Sequence, residues 1–410
     1  MTVPSPAVAT AAEESHARGA YEVADVVRAY GAEFVRTHPT SPAQRRVLRA
    51  IARCRTVFLG RHVEGCEGCG HKRIAYNSCR NRHCPKCQGS ARAKWVAAQQ
   101  ALLLPIEYFH VVFTLPHALN ALLRLNARRL YALLFRAAAG TLLAFARNPQ
   151  HLGAEPAITM VLHTWSQTLT EHVHVHCVVS GGGLSLDRTR WVSTAHRGFL
   201  FPVHALSQVF RAKYLARLAR AQRRGELRFA GQCAALAHTH NWQELISTLY
   251  RTDWVVYAKP PFGGPERVLK YLSRYTHRVA ISNPRLLFVG AGSVRFRYKD
   301  SADHHASKQI TLPAGEFLRR FLLHVLPRGF MRIRHYGILA NRHREQKLAR
   351  CRELLGVATL AAPQTPLETP DSDTSSEIAD DPQRPLAPCP ICGGRMRIID
   401  LLAPQRHDTS

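Results

Sequence analysis

The chain has 410 residues, of which 46% are hydrophobic, and both values are typical of a globular protein with two or three domains. Its formal net charge of +28 favours a polyanion as partner, and Lys and Arg residues spread along the whole chain indicate a long nucleic-acid path. Because no run of about 18 apolar residues and no signal peptide is present, the composition argues against a membrane protein and predicts a cytoplasmic location with reduced thiols.

The first 100 residues begin with a segment typical of disorder and continue with predicted helices. Residues 1–20 are rich in Ala, Ser and Pro. Residues 21–34 carry apolar side chains at helical spacing, and Pro42 suits the first turn of a second helix that ends near Cys54. We assign residues 21–100 to a helical and zinc-ribbon-like domain.

Two Cys-x-x-Cys pairs in this region are fourteen residues apart. Four thiolates on two tight turns match a structural zinc ribbon, and the metal would stabilise a segment too small to have its own core. Cys79 or His83 is an alternative for one ligand, and two reduced thiol pairs in a loop are the alternative to zinc. The predicted ligands are Cys66, Cys69, Cys84 and Cys87.

The middle of the chain contains the clearest strand pattern. Residues 172–179 read His-Val-His-Val-His-Cys-Val-Val, so His172, His174 and His176 share one face of a strand. Neutral imidazoles on a rigid strand are a ready metal site, although a solvated histidine face on an edge strand is the alternative. The glycines at 181–183 are expected to end the strand and to allow close approach to the backbone. Flanking strands are predicted at 106–115, 157–163 and 253–258, and helices at 119–146, 204–224 and 242–250.

A second candidate site follows in residues 265–276, where Pro265 suits a helix start and the apolar residues have helical spacing. Tyr271 and Tyr275 are four residues apart and therefore lie on one helical face. Tyrosines at this spacing are ordinarily packing partners, but a tyrosine helix together with a histidine strand in a basic chain favours a functional role. The basic residues predicted to contact nucleic acid here are Lys259, Lys270, Arg274 and Arg278.

Short strands near residues 278–312 and helices at 315–326 and 337–355 complete the pattern. Strands and helices in mixed order predict an α+β fold with an antiparallel sheet. Residues 357–388 are acidic and rich in Pro, Ser and Thr, which is typical of a flexible linker. The tail at 389–410 carries Cys389-x-x-Cys392, half of a zinc knuckle that His407 or a second chain would complete, unless it is a plain tail.

These motifs together resemble the rolling-circle HUH transposases, named for His, a hydrophobic residue and His, and in particular the two-tyrosine type of insertion-sequence family ninety-one. The resemblance covers roughly residues 20–356. One departure is Val173, where the family commonly has Pro before the metal-binding pair; we favour His174 and His176 as that pair. The motifs that carry the resemblance are His163-Thr164-Trp165, residues 172–183, 259–266, 271–283, 317–327 and 332–337.

The resemblance implies a ferredoxin-like antiparallel sheet with the histidines at its centre and the tyrosine helix beside it, in a catalytic domain at 105–356. It also implies a DNA transposase that forms a 5′-phosphotyrosine and a free 3′-OH on single-stranded element ends and then joins them to target DNA. Mg²⁺ or Mn²⁺ would polarise the scissile phosphate. A homo-oligomer is left open. Candidates for the third metal ligand are Gln167, Glu171, His172 and His163.

Two other functions are compatible with these residues. A zinc-containing DNA-binding protein without catalysis would never form a covalent adduct with DNA. A metal-dependent hydrolase would release both DNA ends and would need neither Tyr271 nor Tyr275. A nucleotide-hydrolysing motor is excluded because the sequence lacks the phosphate-binding loop G-x-x-x-x-G-K-[ST].

Overall fold

The computed structural model describes residues 21–87, 95–196, 198–262, 267, 280–300, 303–357 and 386–405. The helices are α1 (Val23–Thr37), α2 (Pro42–Arg53), α3 (Asn120–Leu125), α4 (Ala127–Arg147), α5 (Val203–Arg223), α6 (Thr239–Arg251), α7 (Ala314–Leu323) and α8 (Arg344–Leu354). The strands are β1 (Arg61–Cys66), β2 (Lys72–Tyr76), β3 (Tyr108–Thr114), β4 (Ala154–Trp165), β5 (Glu171–Ser185), β6 (Trp191–Ser193), β7 (Val256–Phe262), β8 (Leu286–Gly290), β9 (Ser293–Asp300), β10 (Ala306–Pro313), β11 (Ile333–Gly337) and β12 (Met396–Leu402).

The largest sheet has six strands in the order β11-β4-β5-β3-β7, with β6 paired to the far end of β5. All of these pairings are antiparallel. The histidine-rich strand β5 is central, because β4 and β3 pair with its two edges. The predicted α+β class with an antiparallel sheet is confirmed.

The three glycines that follow the histidines do not end their strand as expected, because β5 continues to Ser185. A Cβ atom on Gly183 would lie 2.6 Å from the backbone oxygen of Glu155 in β4. A Cβ atom on Gly182 would lie 2.6 Å from the backbone oxygen of Val192 in β6. The glycines therefore serve the close backbone approach that was expected, but the partners are the neighbouring strands.

One face of the six-stranded sheet packs on helices α4 and α5 and forms the main hydrophobic core. Val173, Val175 and Cys177 point into this core, because they alternate along β5 with the histidines. Helix α4 is long and apolar enough to cross a membrane by length and composition, but 67% of its apolar window is buried in the protein, as in a core helix. The histidines thus occupy the face of the sheet opposite the main core.

A second core joins the start of the chain to its later part. Helices α1 and α2 pack against α7 and the three-stranded sheet β10-β9-β8. Helix α2 is well capped, because the Ser41 side chain accepts from the Gln44 N–H at 3.2 Å and the Gln44 side chain accepts from the Ser41 N–H at 2.9 Å. Cys54 and Cys84 lie in this core.

The third sheet is small and pairs a strand of the C-terminal tail with two strands of the N-terminal region, in the order β12-β1-β2. Strand β12 comes from the C-terminal tail and pairs antiparallel with β1, so that Met396 lies opposite Cys66. The buried residues of this sheet are few: Cys66, Cys389 and Met396 form its cluster, with Leu386 packed against them. Such a small cluster buries too little apolar surface to hold three strands together by itself.

Candidate functional site

Three histidines on the face of the six-stranded sheet opposite the main core come together at its centre. His163 of β4 lies directly opposite His174 of β5, and His176 is the next residue on the same face of β5. The ring nitrogens of these three residues lie within 4.8 Å of one another, and the Nε2 atoms of His174 and His176 are 3.0 Å apart. All three side chains are buried, and the cluster could hold a metal ion.

His172, which was predicted as a metal ligand, lies outside this cluster. Its ring is next to that of His117, with Nδ1 and Nε2 3.4 Å apart. The physical reason is the length of the strand: residues four apart in a strand are separated by about 13 Å, so His172 cannot share an ion with His176. His163, one of the four candidates for the third ligand, reaches both other histidines from the neighbouring strand and completes the cluster of three. Another candidate, Glu171, is paired instead with Arg124.

Hydrogen bonds orient the rings of the cluster. The Nδ1 atom of His174 lies 2.7 Å from the backbone oxygen of His172, and because a carbonyl oxygen only accepts, this Nδ1 carries the proton. The Nε2 atom of a neutral His174 then carries the lone pair that a metal ion would use, and it faces Nε2 of His176. The Nδ1 atom of His176 lies 2.8 Å from Nε2 of His110, and if His176 donates in this bond its Nε2 is the ring nitrogen that faces His174 with a lone pair.

Burial keeps these imidazoles neutral. It lowers the pKa of His176 to about 3 and holds the pKa of His174 well below the usual value for histidine. Burial likewise lowers the pKa of His110 to about 3, and the neighbouring charge of Lys259 acts in the same direction. Neutral imidazole is the form that binds metals, so protons do not compete for these nitrogens near neutral pH.

The edge strand β7 extends the same face of the sheet towards solvent. Tyr257 lies opposite Val112, which in turn lies opposite His176, so Tyr257 is two strands, or about 10 Å, from the cluster. Lys259 lies opposite His110, and its ammonium nitrogen is 5.6 Å from the centre of the Tyr257 ring. Tyr257 and Lys259 are both exposed, and they present an aromatic face and a positive charge beside the histidines.

The predicted nucleophiles Tyr271 and Tyr275 lie outside the described residues, and so do Lys270, Arg274 and Arg278. The described residues end just after β7, which is the edge strand of the six-stranded sheet. Apart from residue 267, the chain is described again from Ala280, which is buried with Ile281 in the second core.

The four cysteines predicted to bind one zinc ion do not lie together, because each Cys-x-x-Cys pair belongs to a different cluster of four. Cys84 and Cys87 meet Cys54 and Cys79, with sulfur atoms 3.4 Å apart for Cys54 and Cys87 and 3.5 Å apart for Cys79 and Cys87. The alternative ligand Cys79 is thus in this first cluster, whereas the His83 ring is turned towards the backbone N–H of Leu326.

Cys66 and Cys69 belong to the second cluster, which the C-terminal pair Cys389 and Cys392 completes. The physical reason for the separation is strand pairing: β1 carries Cys66 to the end of the small sheet, where β12 brings the tail alongside. In the first cluster, Cys54 was not recognised from sequence because it is a single cysteine without a motif. Its position at the end of the well-capped helix α2 is what places it.

In each cluster the sulfurs share their protons unequally: the pKa of one or two thiols is lowered, whereas hydrogen bonds to the other sulfurs raise the pKa of Cys69, Cys79 and Cys84. A hydrogen bond from the Cys79 side chain is the main cause that lowers the pKa of Cys54 to about 7. The backbone N–H of Cys69 is the main cause that lowers the pKa of Cys66 to about 6. Thiolates are the form that binds zinc, and four of them make the closed tetrahedral arrangement of a structural site.

Two protein-family models match this chain, and the matched regions contain the histidine cluster and the first cysteine cluster. Residues 157–347 match a family model described as "Putative transposase", and residues 26–115 match one described as "Transposase zinc-binding domain". The first region contains all three clustered histidines, and the second contains the whole of the first cysteine cluster. The N-terminal part of the chain is therefore a zinc-binding domain.

Among curated relatives, "Putative transposase y4qJ" of Sinorhizobium fredii is 49% identical over 96% of this chain and all of its own length. The "Transposase for insertion sequence element IS801" of Pseudomonas savastanoi pv. phaseolicola is 30% identical over 84% of this chain and 80% of its own. A solved structure, "Conjugative Relaxase TRWC in complex with ORIT dna, cooper-bound structure", is 15% identical with a TM-score of 0.22, covering 41% of this chain and 68% of that one. The two relatives and the family models show that the chain belongs to the transposases of insertion-sequence family ninety-one.

Proposed function

We propose that this transposase nicks and rejoins single DNA strands through a tyrosine-linked intermediate, with a divalent metal ion held by His163, His174 and His176. The observation that supports this proposal most directly is the histidine cluster: three buried imidazoles, from the central strand β5 and its neighbour β4, come together on one face of the sheet. Three protein ligands leave coordination positions for substrate and water, as in catalytic rather than structural metal sites.

The donor set fits the proposed ion. Imidazole nitrogen suits Mn²⁺ better than Mg²⁺, and phosphate and water oxygens suit both, so Mn²⁺ should support the reaction at least as well as Mg²⁺. When bound, the ion would polarise the scissile phosphate and offset its negative charge. The residues themselves supply rigidity, since His174 is held by the His172 carbonyl and His176 by the His110 ring.

The nucleophile in this proposal is the phenolic oxygen of Tyr271 or Tyr275. It loses its proton and forms a bond to phosphorus, while the bond from phosphorus to the 3′ oxygen breaks and that oxygen takes up a proton. The products are a 5′-phosphotyrosine and a free 3′-OH. The tyrosine linkage keeps the free energy of the phosphodiester, so attack by a 3′-OH on it rejoins DNA without ATP. Two tyrosines allow two strands to be held in turn during rolling-circle mobilisation of an element in the bacterial cytoplasm.

The edge strand β7 supports a single-stranded path to the site. An exposed aromatic ring is a platform for a DNA base, with stacking worth about 1–3 kcal/mol per base, and a neighbouring ammonium suits a phosphate. Tyr257 and Lys259 provide this pair about 10 Å from the cluster. Lys270, Arg274 and Arg278 would extend the phosphate contacts.

Covalent capture tests the proposal. The full-length protein is incubated with labelled single-stranded oligonucleotides that tile both strands of the DNA flanking its gene, with Mn²⁺ or with EDTA, and is run on denaturing gels. A Mn²⁺-dependent adduct is expected on one tile, and peptide mass spectrometry should place it on Tyr271 or Tyr275. The double variant Y271F/Y275F and the variant H163A should both lose it. Y250F is the matched control, because Tyr250 is an exposed tyrosine outside the site and its loss should leave the adduct unchanged.

Two outcomes would contradict the proposal. Cleavage that proceeds in Y271F/Y275F without any adduct would indicate a hydrolase whose histidines activate water. Binding of the flanking DNA without cleavage of any tile, in Mn²⁺ or Mg²⁺, would indicate a zinc-containing DNA-binding protein.

A further inference from the structure

Two short turns at opposite ends of the chain have the same construction. In Cys66-Glu67-Gly68-Cys69-Gly70, the Gly70 N–H donates to the Cys66 oxygen at 3.2 Å. In Cys389-Pro390-Ile391-Cys392-Gly393, the Gly393 N–H donates to the Cys389 oxygen at 2.9 Å. Gly70 and Gly393 have the same positive φ of 71°, a conformation that favours glycine. Each turn is therefore a complete knuckle of the kind that presents two thiolates to one ion.

The two knuckles face each other. The sulfur atoms of Cys66 and Cys392 are 3.4 Å apart, and those of Cys69 and Cys389 are 3.7 Å apart. Four sulfurs at the usual Zn–S distance of about 2.3 Å would lie about 3.8 Å from one another, so the observed spacing fits a tetrahedron. A disulfide would need a separation of about 2.05 Å. The N–H of Glu67 also donates to the Arg395 oxygen at 3.0 Å, which fixes one knuckle against the other.

Among the described residues, few buried apolar side chains hold the C-terminal strand in place. Strand β12 pairs along β1, but Ile399 and Leu401 on it are exposed, and Met396 is its buried apolar residue. Backbone hydrogen bonds of an exposed edge strand contribute little to stability unless one face of the strand packs against a core. A strand that joins the sheet after more than 300 intervening residues also needs something to offset the entropy of closing that loop.

We propose that Cys66, Cys69, Cys389 and Cys392 bind a second structural Zn²⁺ ion, which fastens the C-terminal strand to the N-terminal sheet. This ion is distinct from the one assigned to the first cysteine cluster, whose four residues all lie within the matched zinc-binding domain. The tail knuckle lies outside that domain, so the zinc-binding unit of this chain is larger than the matched region. The metal ion would connect the C-terminal tail to the N-terminal region of the same chain. This proposal does not depend on the DNA nicking reaction proposed above.

Metal counting tests the stoichiometry. The full-length protein, purified without chelators, should contain two Zn²⁺ ions per chain by elemental mass spectrometry, and the variant C389S/C392S should contain one. The matched control is C233A/C351A, which removes two buried thiols outside both clusters and should keep two ions. Substitution with Co²⁺ should give the absorption of two tetrahedral sulfur sites in the parent protein and of one in C389S/C392S.

Cutting the chain before the tail tests whether the metal ion keeps the tail attached to the N-terminal sheet. A recognition sequence for a specific protease is placed within residues 358–385, and the cut protein is passed over a sizing column. The fragment that begins near residue 386 should elute with the rest of the chain, and it should separate after C389S/C392S substitution or after treatment with a strong chelator. The parent protein, cut in the same way and kept in buffer with zinc, is the control. It shows whether cutting the chain is enough to release the tail.

Three results would overturn the proposal. One zinc ion per chain in both the parent and C389S/C392S would show that the tail binds none. A tail that stays attached in C389S/C392S would show that pairing of β12 is sufficient. A dimer in which the cut tail of one chain stays with the body of another would show that the metal joins two chains rather than closing one.

Discussion

The small sheet β12-β1-β2 and the six-stranded sheet each bring metal-binding side chains together by strand pairing, but they differ in what holds the strands. The small sheet has three buried core residues, and two of these are cysteines of the cluster itself. The six-stranded sheet packs a large apolar face on α4 and α5, and its histidines lie on the other face. In the first case a bound metal ion would take the place of a core, whereas in the second the apolar core would hold the histidines in position for a metal ion.

The two sites also differ in their candidate donor atoms, which are sulfur in the small sheet and nitrogen in the six-stranded sheet. Four thiols complete a tetrahedron and leave no position for a substrate, which suits a structural ion. Three imidazoles leave positions open, which suits an ion that contacts a phosphate. Loss of metal should therefore unfold the cysteine region but leave the histidine sheet folded and inactive.

The largest effect is expected for Cys84→Ser in the first cysteine cluster. Structural zinc contributes apparent free energies on the order of 10 kcal/mol, so the ion should be lost and the surrounding segment should unfold. Hydrogen exchange followed by mass spectrometry should show loss of amide protection in residues 54–87, while β4 and β5 keep theirs. C351A, which removes a buried thiol far from the clusters, is the control. Equal loss of protection in β5 would mean that the two regions unfold as one unit.

The next effect is expected for His163→Ala in the histidine cluster. Loss of one ligand should lower the DNA cleavage rate by about 10³-fold, or about 4 kcal/mol in activation free energy. The free energy of unfolding should fall by only about 1–3 kcal/mol, because the main core is on the other face of the sheet. Cleavage kinetics and urea unfolding measure the two quantities.

His172→Ala is the matched control for His163→Ala, because it removes a histidine from the same face but outside the cluster. Its cleavage rate should stay within about tenfold of the parent. A loss in H172A as large as that in H163A would return His172 to the ligand set and contradict the arrangement described here.

The pH dependence of stability should come from two neutral histidines outside the candidate metal ligands, His324, which is buried, and His335, which is half-buried. Burial lowers the pKa of His324 and of His335 to about 4, below the unfolded value of about 6.5. As the pH falls below 6.5 the unfolded chain binds protons that the folded chain does not, so stability is lost. Between pH 7.5 and 5.5 the two groups together should cost about 2–3 kcal/mol. Urea unfolding of the parent and of H324Q/H335Q should show a smaller pH slope in the variant; equal slopes would exclude these histidines as the source.

Local patterns in the sequence were sufficient for several of these features. The alternation in residues 172–179 predicted the strand and the face that His174 and His176 share, and mixed helix and strand patterns predicted the α+β class. The motifs also identified the transposase family, which the relatives confirm. Each of these inferences rests on residues that are close in sequence.

Partners distant in sequence were not predictable in the same way. The sequence offered His163 only as one of four candidates for the third ligand, because its place depends on the register in which β4 pairs with β5, and a shift by one residue would turn its ring to the other face. The cysteine pairs look alike as motifs, so spacing favoured Cys66, Cys69, Cys84 and Cys87 as one set. Their true partners depend on the end of α2 for Cys54 and on a strand from the far end of the chain for the tail cysteines.

The smallest of these effects is expected at His110, which positions His176 but lies outside the ligand set. In the metal-bound state the Nδ1–H of His176 should donate to Nε2 of His110, across the 2.8 Å contact between these atoms. Partners of this kind typically change metal affinity by 10–100-fold, so H110A should bind Mn²⁺ more weakly by that factor, or about 1.4–2.7 kcal/mol. Titration calorimetry of the full-length protein measures the affinity.

The variant His110→Gln separates positioning from packing. A glutamine side chain offers an acceptor oxygen in place of the imidazole nitrogen, so H110Q should recover part of the Mn²⁺ affinity that H110A loses. The cysteine clusters provide the contrast, because their zinc content should be the same in both variants. If H110A lowers the free energy of unfolding but binds Mn²⁺ as tightly as the parent, His110 only fills space, and the apolar core alone holds the histidine site in its geometry.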